Sequence, residues 1–333
     1  MNPLLSLCMI VKNEADFLGQ CLDSVQDAVD EMVIVDTGST DVTPNIARAY
    51  GAKIVTHPWH DDFSAARNAG LAQATGNWIL QLDADEIVSP ESSAQLRPLL
   101  AHTTADALRV RIRNLLPPGE LRAYDDFFLP RLFRNRPDFR FEQPIHEQIR
   151  PSIERAGGRI ADSNLTILHY GYARQTAQGG QSRARRNWAL LQKALAAAPN
   201  DAYLLYQAGA TCKALGDEAG ATAYLQRALA GAAELEPAVQ DKLLMKLAQL
   251  ALAADDFAAT VQYGRQSLAL NPDNIVSKYV VALALMFQGD ARGAYPWFQQ
   301  IRQAADTGLT NIAELDAVLD FCQKTLRHTA PSP

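Results

Sequence analysis

Trp78-Ile79-Leu80-Gln81-Leu82-Asp83-Ala84-Asp85-Glu86 is a short apolar run that stops abruptly in carboxylates. A run of this length suits a strand buried on both faces, as in a parallel sheet. Asp83 and Asp85, just past it, form an oxygen-rich group of the kind that suits Mg²⁺ or Mn²⁺, which can in turn hold a diphosphate. Asp-x-Asp alone is common in solvated loops. Its place after a buried strand gives it weight.

Reading outward from this stretch, strands alternate with helices. Leu5 to Val11 is an apolar run without period and predicts a buried first strand. Phe17, Leu18, Cys21, Leu22, Val25 and Val29 recur at helical spacing, and Met32 to Val35 reads as a second strand ending at Asp36. Ser39, Thr40 and Asp41 offer capping side chains for a helix through Ile46 and Ala49. Lys53 to Thr56 is a third strand and Phe63 to Ala74 a helix. The alternation implies a mostly parallel α/β sheet, whose ligands gather at the carboxyl ends of the strands, where Asp36 and Asp83 both fall.

Further along, Leu108 to Ile112, Phe127 to Phe133 and Leu165 to His169 read as strands, expected to be antiparallel, with a turn at Pro117-Pro118-Gly119. From Ser182 the pattern is helical and rich in Ala and Leu. Gly216-Asp217, Asp255-Asp256 and Gly289-Asp290 separate pairs of helical stretches at offsets of 39 and 34 residues, and Pro199, Pro237 and Pro272 end units at offsets of 38 and 35. Ala208 with Ala221, Ala248 with Ala259 and Ala284 with Ala294 fall where paired helices touch. This spacing resembles a degenerate tetratricopeptide repeat. Two domains follow: a mostly parallel α/β domain at 1–175, which carries the candidate site, and a tetratricopeptide-like all-α domain at 176–330.

The composition agrees with two full-sized cores: 333 residues, 48% hydrophobic and 20% charged. A net charge of −6 argues against non-specific nucleic-acid binding. The four cysteines, Cys8, Cys21, Cys212 and Cys322, form no metal or disulfide pattern and fit reduced thiols in a cytoplasmic protein. The first apolar run lacks a basic n-region and runs into Lys12-Asn13-Glu14, so it reads as a strand rather than a leader. No run approaches the roughly 18 apolar residues of a membrane span.

Other residues carry candidate chemistry beside a plainer reading. Asp36 can accept hydrogen bonds from a nucleobase, and Gly38 lets backbone approach a ligand; the same stretch also reads as a capped turn. Arg67, on a helix leading toward the Asp83 strand, can reach a phosphate, or pair with Asp61 or Asp62. His146 and Glu147 have the chemistry of general bases, although a lone His-Glu pair is usually structural. His169, in Leu168-His169-Tyr170-Gly171-Tyr172, can complete a metal shell or be a satisfied histidine. Neither a Gly-x-Gly-x-x-Gly fingerprint nor a P-loop nor a Gly-x-Ser-x-Gly elbow is present.

Together, Ser6 to Glu14, Val35 to Asp41, Ala66-Arg67-Asn68 and Leu82 to Glu86 resemble the family 2 glycosyltransferases. With His146-Glu147, His169 to Tyr172 and the helical repeats, the chain is similar to the subgroup of sublancin-type peptide S-glycosyltransferases and lipopolysaccharide-core glucosyltransferases. The resemblance implies a GT-A fold and an inverting hexosyl transfer from a nucleotide sugar, UDP-linked first, with Mn²⁺ or Mg²⁺. It places Asp36 on the base, Asp83 on the ribose or sugar, and Asp85 on the metal with His169. Val11, Lys12, Asn13 and Glu14 line the nucleotide pocket, Lys12 facing a phosphate, with Gly38, Ser39, Asp41, Arg67 and Ala84 also on the donor side. The family's acidic base motif of the Glu-Asp-Asp type is absent, which leaves Glu147 as the candidate base, followed by His146. The acceptor class stays open among peptide, glycan and lipid-linked, and the repeats serve it or a homodimer. The competing reading is a non-catalytic repeat scaffold with a relic nucleotide-binding domain. A nucleotidyltransferase is disfavoured because no glycine- and lysine-rich loop follows the first strand.

Overall fold

The computed structural model describes residues 4–117, 123–171, 177–304 and 312–328. Tyr172, Pro118 and Gly119 therefore lie outside the described residues, as do residues 172–176, where the expected domain boundary falls. The chain forms two compact units, Met1–Pro117 with Tyr124–Gln175, and Pro118–Ala123 with Thr176–Pro333.

The first unit runs β1 (Leu5–Val11), α1 (Leu18–Asp23), β2 (Glu31–Asp36), α2 (Thr43–Ala49), β3 (Lys53–Thr56), α3 (Phe63–Leu71) and β4 (Trp78–Gln81). It continues with β5 (Glu86–Val88), α4 (Pro90–His102), β6 (Ala107–Leu115), β7 (Tyr124–Arg134), α5 (Arg150–Arg155) and β8 (Ile160–His169). These strands form one sheet in the order β3-β2-β1-β4-β7-β6-β8-β5. β1 pairs parallel with β2 and β4, and β2 with β3, as the strand-helix alternation requires. β7 runs antiparallel between β4 and β6. The expected antiparallel second half holds only in part, since β6 and β8 are parallel.

β1 is apolar without period because both of its faces are covered. Leu5, Leu7, Met9 and Val11 pack with Leu18, Cys21 and Leu22, while Cys8 lies in a second cluster with Leu71, Ile79, Phe133 and Phe139. The helix expected through Val29 stops at Asp23. There the Ser24 hydroxyl donates to the Cys21 carbonyl at 2.6 Å, competing with the helical ladder, although Val25 and Val29 still bury their side chains. Ser39 and Thr40 do not cap α2. Its cap position is Val42, and the Asp41 carboxylate accepts the Thr43 N–H at 2.9 Å.

The second unit contains α6 (Ala177–Ala197), α7 (Ala202–Ala214), α8 (Glu218–Ala230), α9 (Pro237–Ala253), α10 (Phe257–Leu270), α11 (Ile275–Phe287), α12 (Ala291–Gln303) and α13 (Ile312–His328). Each Gly-Asp or Asp-Asp pair joins the two helices of a repeat. Gly216, Asp255 and Gly289 sit at φ of +81°, +58° and +80°, and the aspartates that follow cap α8, α10 and α12. Ala208, Ala221, Ala248, Ala284 and Ala294 are fully buried as expected. Ala259 is not; the small residue buried at the equivalent place in α10 is Thr260, four residues after its cap as Ala221 and Ala294 are after theirs.

Asp255 alone of the three connecting residues pays the steric cost of a left-handed backbone, about 1–2 kcal/mol. Asp255→Gly removes that cost and adds about 0.5–1 kcal/mol of chain entropy. A net gain of about 0.5–1 kcal/mol is expected, seen as a higher urea midpoint at unchanged slope. A lower midpoint would mean that the Asp255 side chain makes a compensating contact.

Candidate active site

The carboxyl ends of β1, β2 and β4 are adjacent, and the candidate residues gather along that edge. After β1 and β2 the chain forms two interlocked turns. The Asn13 N–H donates to Ser39 Oγ at 3.0 Å, the Thr40 N–H to Asn13 Oδ1 at 2.7 Å, and the Ala15 N–H to Asp41 Oδ2 at 3.3 Å. Asp36 Oδ1 accepts the Ser39 N–H at 3.0 Å, leaving the half-exposed carboxylate at the lip of the sheet. Gly38 takes φ +108° with open space beside it, so glycine is required there by conformation. Lys12 and Asn13 are exposed, and Glu14 is half-buried. Val11 and Ala84 differ from expectation. As whole residues they are 3% and 5% exposed, and both belong to the core.

Beyond β4, a network of charges surrounds Asp83. Arg67 Nη2 donates to Asp83 Oδ1 at 2.8 Å, and Arg67 Nε to Glu147 Oε1 at 2.5 Å. Arg67 is thus an internal bridge between two carboxylates. Its partners are these two rather than Asp61 or Asp62; Asp62 instead caps α3, and Arg67 Nη1 makes no hydrogen bond. Burial raises the Asp83 pKa, but the Arg67 and Arg131 guanidiniums outweigh it and hold the carboxyl well below the usual range. Asn68, next to Arg67, clamps Phe141 through both of its amide atoms at 2.9 Å. Glu142 and Gln148 exchange backbone bonds at 2.9 and 3.0 Å, closing the loop that presents Glu147.

His146 lies in that loop at φ +53°. Burial pushes its pKa down to about 4 from 6.5, so the ring is a neutral and weak proton acceptor at pH 7. The unfolded chain takes up this proton near pH 6.5 and the folded chain only near 4. Stability from this group is therefore full above pH 6.5 and is lost as the pH falls from there to about 4. The loss is on the order of 3 kcal/mol. His146→Asn, chosen because asparagine tolerates positive φ, should flatten the acid limb of the stability curve relative to wild type. Parallel curves would show that the ring is solvated.

Asp85 and His169 meet where β5 pairs with the end of β8. His169 Nε2 lies 3.3 Å from Asp85 Oδ2, with side chains 19% and 12% exposed. On the far side of the ring Nδ1 is 2.5 Å from Asn114 Oδ1, which fixes Nδ1 as a donor and turns Nε2 toward Asp85. Burial opposes a charged ring, but Asp85 outweighs it and raises the His169 pKa. Gly171 completes a cradle, since a Cβ there would come within 2.4 Å of Asp85 Oδ2 and 2.7 Å of His169 Nε2. This donor set fits a divalent ion. Neighbouring ligands of an octahedral ion at 2.0–2.1 Å stand about 3 Å apart. Among the described residues no group of three or more His, Cys, Asp or Glu could hold a metal, so diphosphate oxygens or water would supply the remaining ligands.

Sequence reading thus placed Asp83, Arg67 and Glu147 in one region and Asp85 beside His169. It passed over Arg131, Glu86 and Asn114. A charge inside the apolar run Phe127 to Phe133 was the available signal for Arg131. Asn114 became visible only when β6 paired with β8. Among the described residues no helix is long and apolar enough to cross a membrane.

Residues 6–153 match the glycosyl transferase family 2. A TPR repeat-containing protein of Synechococcus elongatus is 42% identical over 264 residues, covering 77% of this chain and 64% of its own length. The SPbeta prophage-derived glycosyltransferase SunS of Bacillus subtilis is 26% identical over 230 residues, covering 68% of this chain and 54% of its own. The chain therefore spans less than two thirds of these relatives. Among solved structures, S. aureus TarS 1–349 in complex with UDP-GlcNAc overlays with a TM-score of 0.42 at 14% identity, covering 90% of this chain and 92% of that one. Over residues 6–153 the chain is thus similar to glycosyl transferase family 2, within an α/β unit that is followed by tetratricopeptide-like helical repeats.

Proposed function

We propose that the chain transfers a sugar, with inversion, from a nucleotide-sugar donor, UDP-linked first, to a peptide, glycan or lipid-linked acceptor in the cytoplasm. The observation that carries the reading is the Asp85–His169 pair under Gly171, on the same sheet as the Asp36 turn and next in sequence to the Asp83 network. The match of residues 6–153 to glycosyl transferase family 2 supports glycosyl transfer as the reaction. Asp36 accepts the imide N–H of the base, and Asp83 takes ribose or sugar hydroxyls. Asp85 and His169 hold Mn²⁺ or Mg²⁺, which when bound would neutralise charge on the departing diphosphate. Glu147 draws the proton from the acceptor hydroxyl or thiol while Arg67 keeps its carboxylate in place. The repeats contribute acceptor recognition or self-association.

The test is thermal denaturation with UDP, GDP and their sugar conjugates, in Mn²⁺ or in EDTA. A nucleotide at 100 times its dissociation constant should stabilise the fold by about 2.7 kcal/mol. EDTA should remove most of that gain. Failure of every nucleotide to stabilise the chain would favour the scaffold reading.

A further inference from the structure

We infer that Arg131, backed by Glu86, is a positioning residue that fixes the Asp83 carboxylate for the ribose of the donor. The inference rests on the proposed donor reading and extends it to residues that cannot themselves touch the donor.

β7 carries Arg131 to the end of β4, because Leu132 pairs with Leu80 in the antiparallel register. There the guanidinium meets three acceptors. Nη1 donates to Gln81 Oε1, and Nη2 to Glu86 Oε1 at 2.7 Å and to Asp83 Oδ2 at 3.2 Å. Glu86 turns its other oxygen back on the loop, accepting the Asp83 N–H at 2.8 Å. Arg67 holds the opposite oxygen of Asp83. Both carboxylate oxygens and the backbone N–H of Asp83 are therefore anchored by separate groups, which sets the carboxylate plane as well as its place.

Exposure separates the roles. The Arg131 and Glu86 side chains are 9% and 2% exposed, whereas that of Asp83 is 34% exposed. Only Asp83 of the three offers surface to a ligand. Stability alone does not account for the arrangement, since replacing a buried ion pair with apolar residues is often neutral or stabilising. The Nε of Arg131 is moreover buried without a hydrogen-bond partner. Such a network is expected where the orientation of one exposed member matters to binding.

The experiment measures stability and UDP binding in Mn²⁺ by calorimetry for wild type, Arg131→Lys, Arg131→Met, Glu86→Gln and Arg131→Met with Glu86→Gln. Arg131→Met strands a buried carboxylate and should lose stability. The double variant removes that charge and should recover most of the stability while binding UDP at least about tenfold more weakly than wild type. Arg131→Lys keeps a positive charge beside Glu86 but cannot reproduce the planar fork, so it should fold as wild type and bind with intermediate affinity. Wild-type UDP affinity in a folded double variant, or in Arg131→Lys if the double variant does not fold, would make Arg131 structural and overturn the inference alone. Absence of UDP binding by the wild-type chain would overturn the donor reading, and this inference with it.

Discussion

Asp85→Ala should lower metal-dependent turnover by about a thousandfold while leaving the melting temperature close to wild type. An ion that neutralises a leaving diphosphate contributes several kcal/mol to the transition state, and about 4 kcal/mol corresponds to that factor. The fold should survive because the variant keeps the Asp85 backbone, whose carbonyl accepts the Tyr170 N–H at 3.0 Å. Its carboxylate faces His169, which keeps Asn114 in the variant. The diagnostic control is UDP binding in EDTA, which should match wild type, while the gain from Mn²⁺ disappears. Gly171→Ala makes the same point sterically: both ligands remain, but the added methyl occupies the space between them. If Asp85→Ala retains wild-type turnover and Mn²⁺ response, the metal assignment is wrong.

Much of this was legible in the sequence because it depended on local pattern. β1 to β4 follow from apolar runs and helical spacing, and the repeat turns from Gly-Asp and Asp-Asp pairs whose first residue adopts positive φ. Asp85 was readable because two carboxylates directly follow a buried strand. What failed depended on pairings distant in sequence. The partners of Arg67 are 16 and 80 residues away, so the nearby Asp61 and Asp62 were the only ones a local reading could offer. Arg131 meets Glu86 across 45 residues, through a strand order that places β7 beside β4. Ala259 was misplaced for a smaller reason, since a one-residue slip on a helix turns the side chain by about 100°.

Glu147→Gln should reduce turnover by about 10²–10⁴-fold with UDP affinity unchanged, the range expected for loss of a general base. Gln retains an oxygen for Arg67 Nε, so the bridge to Asp83 keeps its geometry while the proton acceptor is lost. If Glu147 serves only to hold Arg67, the effect falls instead on donor affinity, through Asp83, with the chemical step intact. The split between kcat and the UDP dissociation constant therefore decides between the two roles. The size of the kcat effect also reports on the acceptor. A hydroxyl needs its proton removed as it attacks, whereas a thiol with pKa near 8.5 is already a few per cent thiolate at pH 7. A hydroxyl acceptor should give the full loss at every pH tested. A thiol acceptor should give a smaller loss that fades above about pH 8.5, as the thiolate forms without help. Unchanged turnover with acceptors of both kinds would place the base elsewhere, and His146→Asn would then be the variant to assay, since its buried neutral ring is the other proton acceptor in the same loop.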